Sequence, residues 1–188
     1  GISYQYPEYT ININALSVLK LLEAIRLTKL DKKVKLFQAS TSELFGNTQI
    51  NPKNENTQFN PISPYSISKL FAHNIIKNYR DTYNIFACSG ILFNHESPRR
   101  KDAFVTRKIT KGIGKILKGE QSEIVLGNIH VKRDWGHAKD YVMAMWMMLQ
   151  NDKPTDYVIS TGENHSIKEF INLAFSKVNI ELEWKGEG

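Results

Sequence analysis

The run "VKLFQAS", residues 34–40, is short, apolar and flanked by polar residues, and it reads as a buried strand ending at Ser40. Upstream of it, Ile13, Leu16, Leu19, Leu22, Ala24 and Ile25 recur at helical intervals, predicting a helix from about Asn12 to Leu30 before the polar "TKLDKK". Downstream lies a loop at 47–62, rich in Asn and Pro and expected to be the most flexible segment. A helix from about Pro64 to Tyr83 follows, with Ser63 as cap and Pro64 at the first helical position. "IFACSGILF" (85–93) is the next strand, and a basic helix comes after it. Beyond these the pattern predicts a strand at "EIVLG" (123–127), a helix from about His137 to Gln150, a strand at "YVIST" (157–161), a helix from about Ser166 to Val178 and a strand at "IELEW" (180–184). Strands that alternate with helices predict a mostly parallel α/β sheet, whose ligands collect at the carboxyl ends of the strands.

A chain of 188 residues with 41% hydrophobic content fits one domain, or most of one, with a real core. No apolar run approaches the length of about 20 residues that crosses a bilayer, and the polar N-terminus lacks a signal-peptide pattern, so a cytoplasmic protein without a membrane partner is expected. Cys88 is the only cysteine, which excludes an internal disulfide and a cysteine-based metal cluster; no metal site is expected. The net charge of +6 raises the question of nucleic acid. In "DAFVTRKITKGIGKILKGE" (102–120), however, Val105, Ile109, Ile113 and Ile116 follow helical spacing while Lys108, Lys111, Lys115 and Lys118 occupy the other surface, as in an ordinary amphipathic helix, and no nucleic-acid partner is expected. The methionine-rich "MAMWMMLQ" (143–150) reads as helix core. Because the chain begins at Gly1 in what looks like the tail of a loop, it reads as a piece of something longer.

Chemistry concentrates at two predicted strand ends and one helix start. "STSELFG" (40–46) sets Thr41, Ser42 and Glu43 directly after the first strand, and "LFNHESPRR" (92–100) sets Asn94, His95, Glu96, Arg99 and Arg100 after the second. In "SPYSISK" (63–69), Tyr65 and Lys69 are one helical turn apart and share a face. An ammonium beside a phenol favours the phenolate, and an unassisted phenol with a pKa of about 10 is a poor base near neutrality. Taken alone, Tyr-x-x-x-Lys is also common by chance. Together, Thr41, Glu43, Tyr65 and Lys69 offer an oxyanion donor, a second acid or base, a first base and its electrostatic tuner.

Ser/Thr followed about two dozen residues later by Tyr-x-x-x-Lys resembles the extended short-chain dehydrogenase/reductase superfamily. The longer stretches "QASTSELFG", "SPYSISK", "ILFNHESPRR", "FVTRKIT" and "RDWGHAKDYV" resemble its GDP-mannose 4,6-dehydratase family, from "PEYT" near the start to the last residues. That resemblance implies NADP as cofactor, GDP-mannose as substrate, entry into GDP-fucose and related deoxysugar synthesis, and a homodimer or homotetramer. It implies that Tyr65 takes the C4 hydroxyl proton, Thr41 hydrogen-bonds the C4 oxygen, Lys69 contacts the nicotinamide ribose, and Glu43 removes the C5 proton and helps water leave C6. It implies cofactor contacts at Tyr9, Lys69, His95 and Arg100, and substrate contacts at Ser42, Asn94, Thr106, Lys108 and Arg133. For Arg133 and Asp134 the competing reading is a surface ion pair.

The Gly-rich strand-to-helix turn that the family uses for the cofactor pyrophosphate has no counterpart here; the G-x-G at Gly112 to Gly114 falls inside a helical pattern. The expected architecture is therefore a partial, doubly wound, mostly parallel Rossmann-like α/β sheet lacking its N-terminal half. It is read as a single incomplete domain, with the catalytic residues in 1–100 and a mixed substrate-binding and sheet-completing region in 101–188. On its own such a chain is expected to be inactive. The alternatives are a non-catalytic relic or interaction module of the same fold, and another nucleotide-sugar dehydratase or epimerase; an epimerase would have no use for a C5 base at Glu43.

Overall fold

The computed structural model describes residues 2–186. Helices α1 (Ile2–Gln5) and α2 (Pro7–Ile11) lead through a π-helical stretch at Asn12–Leu16 into α3 (Ser17–Leu27), so helical structure starts ten residues before the predicted point. The hydroxyl of Thr10 donates to the Tyr6 carbonyl at 2.9 Å and the amide of Asn14 to the Thr10 carbonyl at 3.1 Å. Such side-chain bonds compete with the regular ladder and accompany its local widening. Strand β1 (Leu36–Ala39), helix α4 (Pro64–Tyr83) and strand β2 (Ala87–Leu92) follow as read from the sequence. Next come β3 (Asn94–Glu96), α5 (Val105–Leu117), β4 (Lys132–Arg133), β5 (Trp135–His137), α6 (Ala138–Gln150), β6 (Tyr157–Ile159), β7 (His165–Ser166) and α7 (Ile167–Ser176). No described helix is long and apolar enough to cross a membrane.

The chain divides into two compact units, 1–93 with 139–159 and 94–138 with 160–188. Where the sequence suggests one change near residue 100, the chain changes units at 93/94, 138/139 and 159/160. The first unit holds a parallel sheet in the order β1-β2-β6, with Ala39 opposite Gly90 and Leu92 opposite Ile159. All six residues of the central strand β2 are buried, including Cys88, whose thiol burial pushes up to about 11. Val18, Leu22 and Ile25 of α3 meet Ala72, Ile76 and Tyr79 of α4, one apolar stripe against another, with Ile85 and Ala87 beneath. Helix α4 owes its sharp start to Ser63 and Ser66, whose hydroxyls each accept from the other's backbone N–H, with Pro64 between them; it ends at Asn84 in the left-handed region.

In the second unit, β3 pairs with β5 in parallel and β4 with β7 antiparallel. The strands expected at 123–127 and 180–184 are not formed. Ile124, Leu126, Ile180 and Leu182 instead pack as irregular chain around the cluster of Ile109 and Ile113 from α5 and Ile171 and Phe175 from α7. Their alternation records burial of every second side chain, which does not require a ladder partner. Gly112 permits this approach, since a Cβ there would lie 2.6 Å from the Ile124 side chain. Lys108, Lys111 and Lys115 of α5, and Lys118 just after it, are all exposed, as expected of an amphipathic helix. The core reading of the methionine run is corrected: Met148 is buried, but Met143, Trp146 and Met147 are exposed. A helix apolar all round carries no signal of which face is covered.

A buried polar network ties α4 to the sheet. Arg80 grips Asp156 through two bonds of 2.9 Å, and Asp156 also accepts from the Ser89 N–H at 2.6 Å. Nearby, His73 is 7% exposed, with the Phe59 ring edge-on at 5.1 Å. Burial lowers the His73 pKa, with Arg80 and Lys77 adding to the effect and Asp156 opposing it. For Asp156 burial acts upward, but the bonds from Arg80 and Ser89 outweigh it and the net shift is downward. In both cases the unfolded chain binds more protons than the folded one between the two pKa values, so stability falls as pH falls. Denaturant titrations are expected to show a first loss below the unfolded histidine pKa of about 6.5 and a second below about 3.9 for the aspartate. His73→Gln should abolish the first loss and leave the second.

Candidate active site

Strand β1 ends at Ala39, and Ser40 extends its ladder by one bond to the Gly90 carbonyl, 2.9 Å. Thr41 is still extended, and its hydroxyl accepts from the Glu43 N–H at 3.2 Å, capping a 3₁₀ turn over Ser42–Phe45. Leu44 and Phe45 are fully buried, and Phe45 lies 5.5 Å from Phe59 and 6.3 Å from Phe93. These two anchors fix the turn and leave Glu43 exposed and Ser42 half-buried beside it. The turn closes at Gly46, which has φ of +51° and where a Cβ would fall 1.8 Å from the Asn60 carbonyl oxygen, so glycine is required. Asn60 in turn donates to the Leu44 carbonyl at 2.8 Å, holding the far end of the 47–62 loop against the turn.

The capped start of α4 presents Tyr65 and Lys69 on one face, both half-buried, with the ammonium 5.8 Å from the phenol ring centre. Lys69 donates to the carbonyl of Ala39 at 3.0 Å. That bond ties the ammonium to the carboxyl end of β1, two residues before Thr41. Burial lowers the Lys69 pKa, because little water remains to solvate the charge. Thr41, Glu43, Tyr65 and Lys69 thus belong to one end of the first unit's sheet, where open α/β sheets hold their ligands. Tyr9, on α2 of the same unit, is 64% exposed.

The second unit gathers another set. His95, in β3, is registered opposite Gly136 of β5, and Asn94 opposite Trp135. Directly after β3 the chain turns at Ser97, whose carbonyl accepts from the Arg100 N–H at 3.0 Å. Arg100 returns to Glu96, with Nε 3.1 Å from Oε2, while its guanidinium lies 3.5 Å from the Phe104 ring centre. Thr106 donates to the same Glu96 Oε2 at 2.7 Å. A cleft of about 400 Å³ opens here, lined by His95, Arg99, Arg100 and Lys101 among others.

The remaining sequence-derived positions are less converged. Thr106 is 7% exposed with its hydroxyl given to Glu96, Lys108 donates to the Val125 carbonyl at 2.7 Å, and Arg133 is exposed and bonds the Lys132 carbonyl. The Arg133–Asp134 surface ion pair is not formed. Asp134 is buried and accepts from the Thr161 N–H and hydroxyl and the Gly162 N–H, at 2.8–3.0 Å, so it fixes the turn after β6. Glu96 stood among the strand-end side chains without a role; its position four residues before Arg100 was the available signal.

All 188 residues match the family model described as GDP-mannose 4,6 dehydratase. The GDP-mannose 4,6-dehydratase of Vibrio cholerae serotype O1 is 54% identical over 188 residues, covering 100% of this chain and 50% of that protein. That of Dictyostelium discoideum is 53% identical over 186 residues, covering 99% and 52%. The chain spans about half the length of the curated relatives it matches. Among solved structures, RMD from Pseudomonas aeruginosa complexed with NADPH superposes with a TM-score of 0.89 at 26% identity, over 96% of this chain and 63% of that one.

Proposed function

The chain belongs to the GDP-mannose 4,6-dehydratase family, and from that premise we propose that its residues form the reacting end of a hydro-lyase that converts GDP-mannose to GDP-4-keto-6-deoxymannose. The observation that carries this reading is the bond from Lys69 to the Ala39 carbonyl, which brings the Tyr65–Lys69 pair to the strand end that bears Thr41 and Glu43. Its cofactor is NADP, which when bound supplies a reversible acceptor for the hydride of C4 that is later returned to C6. The donor set suits such a group: Arg100 and its cationic neighbours in the cleft match phosphate, and Lys69 matches a ribose hydroxyl.

On the substrate, Tyr65 accepts the proton of the C4 hydroxyl as C4 is oxidised, with the Lys69 ammonium stabilising the phenolate it needs. Thr41 donates to the C4 oxygen. The new ketone acidifies the C5 proton, which Glu43 removes. The same carboxyl then protonates the C6 hydroxyl as it departs as water, and its exposure in the turn allows it to meet the sugar from the solvent side. Asn94, Lys108 and Arg133 are proposed for the nucleotide diphosphate.

Intact enzyme given NADP and GDP-mannose deuterated at C4 tests the reading. The expected product is the 4-keto-6-deoxy sugar with deuterium on C6 of the same molecule. A C4 epimer, or a 4-keto product without the label, would overturn it.

A further inference from the structure

We propose that Glu96 is a positioning residue that sets the guanidinium of Arg100 before a phosphate arrives, an inference that rests on the reading of Arg100 as a cofactor contact. Arginine has many rotamers, and ordering one on binding weakens the complex unless it is ordered beforehand. Here two contacts order the side chain: the Glu96 carboxylate forms an ion pair with it, Oε2 lying 3.1 Å from Nε without hydrogen-bond alignment, and Phe104 holds the plane of the guanidinium at 3.5 Å, while the Ser97 carbonyl fixes the backbone N–H at 3.0 Å. Glu96 is itself held from two sides, since its backbone lies in the β3–β5 ladder and its Oε2 accepts from Thr106 in the first turn of α5. Because Glu96 pairs at the Nε edge, it leaves the two terminal amino groups of Arg100 clear, and they make no hydrogen bond among the described residues. They form the fork that binds phosphate oxygens in pairs.

A carboxylate beside an anion site also repels the anion, so two opposite effects of Glu96 compete. Position is expected to win, because the Glu96 carboxylate is already paired with Arg100, and the cleft itself is lined by Arg99, Arg100 and Lys101. It also explains why the Thr106 hydroxyl is turned to Glu96 and not outward.

The test is a double-mutant cycle in the intact enzyme, with NADP⁺ titrated calorimetrically and the KM for NADP⁺ separated from kcat. Glu96→Ala should weaken NADP⁺ by about tenfold with little change in kcat, and should add no further loss in an Arg100→Ala background. Glu96→Gln keeps the side-chain shape against Arg100 and the acceptor for the Thr106 hydroxyl without the charge, and should recover most of the affinity. Should Glu96→Ala disturb the fold, Glu96→Gln and Thr106→Val still carry the test, the latter predicted to weaken NADP⁺ without touching Arg100. Tighter binding in Glu96→Gln would mean that repulsion dominates and would overturn the proposal, as would additive losses in the double variant. If Arg100→Ala leaves NADP⁺ affinity unchanged, the cofactor reading of Arg100 fails and the inference with it. If Arg100→Ala weakens binding but neither Glu96 variant does, the inference alone fails.

Discussion

On the proposed mechanism, Tyr65→Phe in the intact enzyme is expected to lower the rate of 4-keto sugar formation by about 10²–10⁴-fold, the range that a positioned acid–base group contributes. The substitution removes one oxygen and keeps the ring that lies beside Lys69, so the capped start of α4 is retained. The loss falls on the first chemical step. Mixing enzyme-bound NADP⁺ with GDP-mannose should therefore produce neither the reduced-nicotinamide absorbance nor product on the wild-type time scale. Near-normal turnover would remove the phenol from the mechanism.

The part of the fold legible in the sequence is the part in which local chemistry and tertiary packing agree. Ser63-Pro64 marks the start of α4 because cap and first-turn proline act within four residues, and β2 is legible because a strand covered on both faces must be apolar at every position. The segments at 123–127 and 180–184 look the same as strands in one dimension, since side chains alternate between the α5–α7 cluster and solvent, yet no neighbouring strand is there to pair with. Strands β3 and β5 escape detection for the opposite reason. They are three residues each, include Asn, His and Glu, and exist because they pair with one another across some 40 positions of sequence.

The site divides in the same way. Tyr65 and Lys69 are legible because helical geometry alone brings positions four apart together. The bond from Lys69 to Ala39 links residues 30 apart and is a property of how α4 lies along β1. The link from Glu96 to Thr106 belongs with it: a carboxylate at a strand end has many potential partners, and only the fold selects a hydroxyl ten residues on.

On the proposed mechanism, Glu43→Gln is expected to separate the two halves of the reaction. The amide fills the same exposed place in the Ser42–Phe45 turn, and the turn is held by Thr41, Leu44 and Phe45, none of which depends on the Glu43 charge. Proton removal at C5 comes after oxidation at C4, so Tyr65, Lys69 and Thr41 remain able to carry the first step. Reduced nicotinamide should then accumulate on adding GDP-mannose, while release of 4-keto-6-deoxy product falls by about 10²–10⁴-fold, because an amide can neither take the C5 proton nor protonate the departing C6 hydroxyl. This pattern differs in kind from that of Tyr65→Phe, which suppresses both signals. Stopped-flow absorbance together with product analysis distinguishes them. Wild-type behaviour in both measurements would show that Glu43 is not the C5 base, and loss of the absorbance signal would place it in the first step instead.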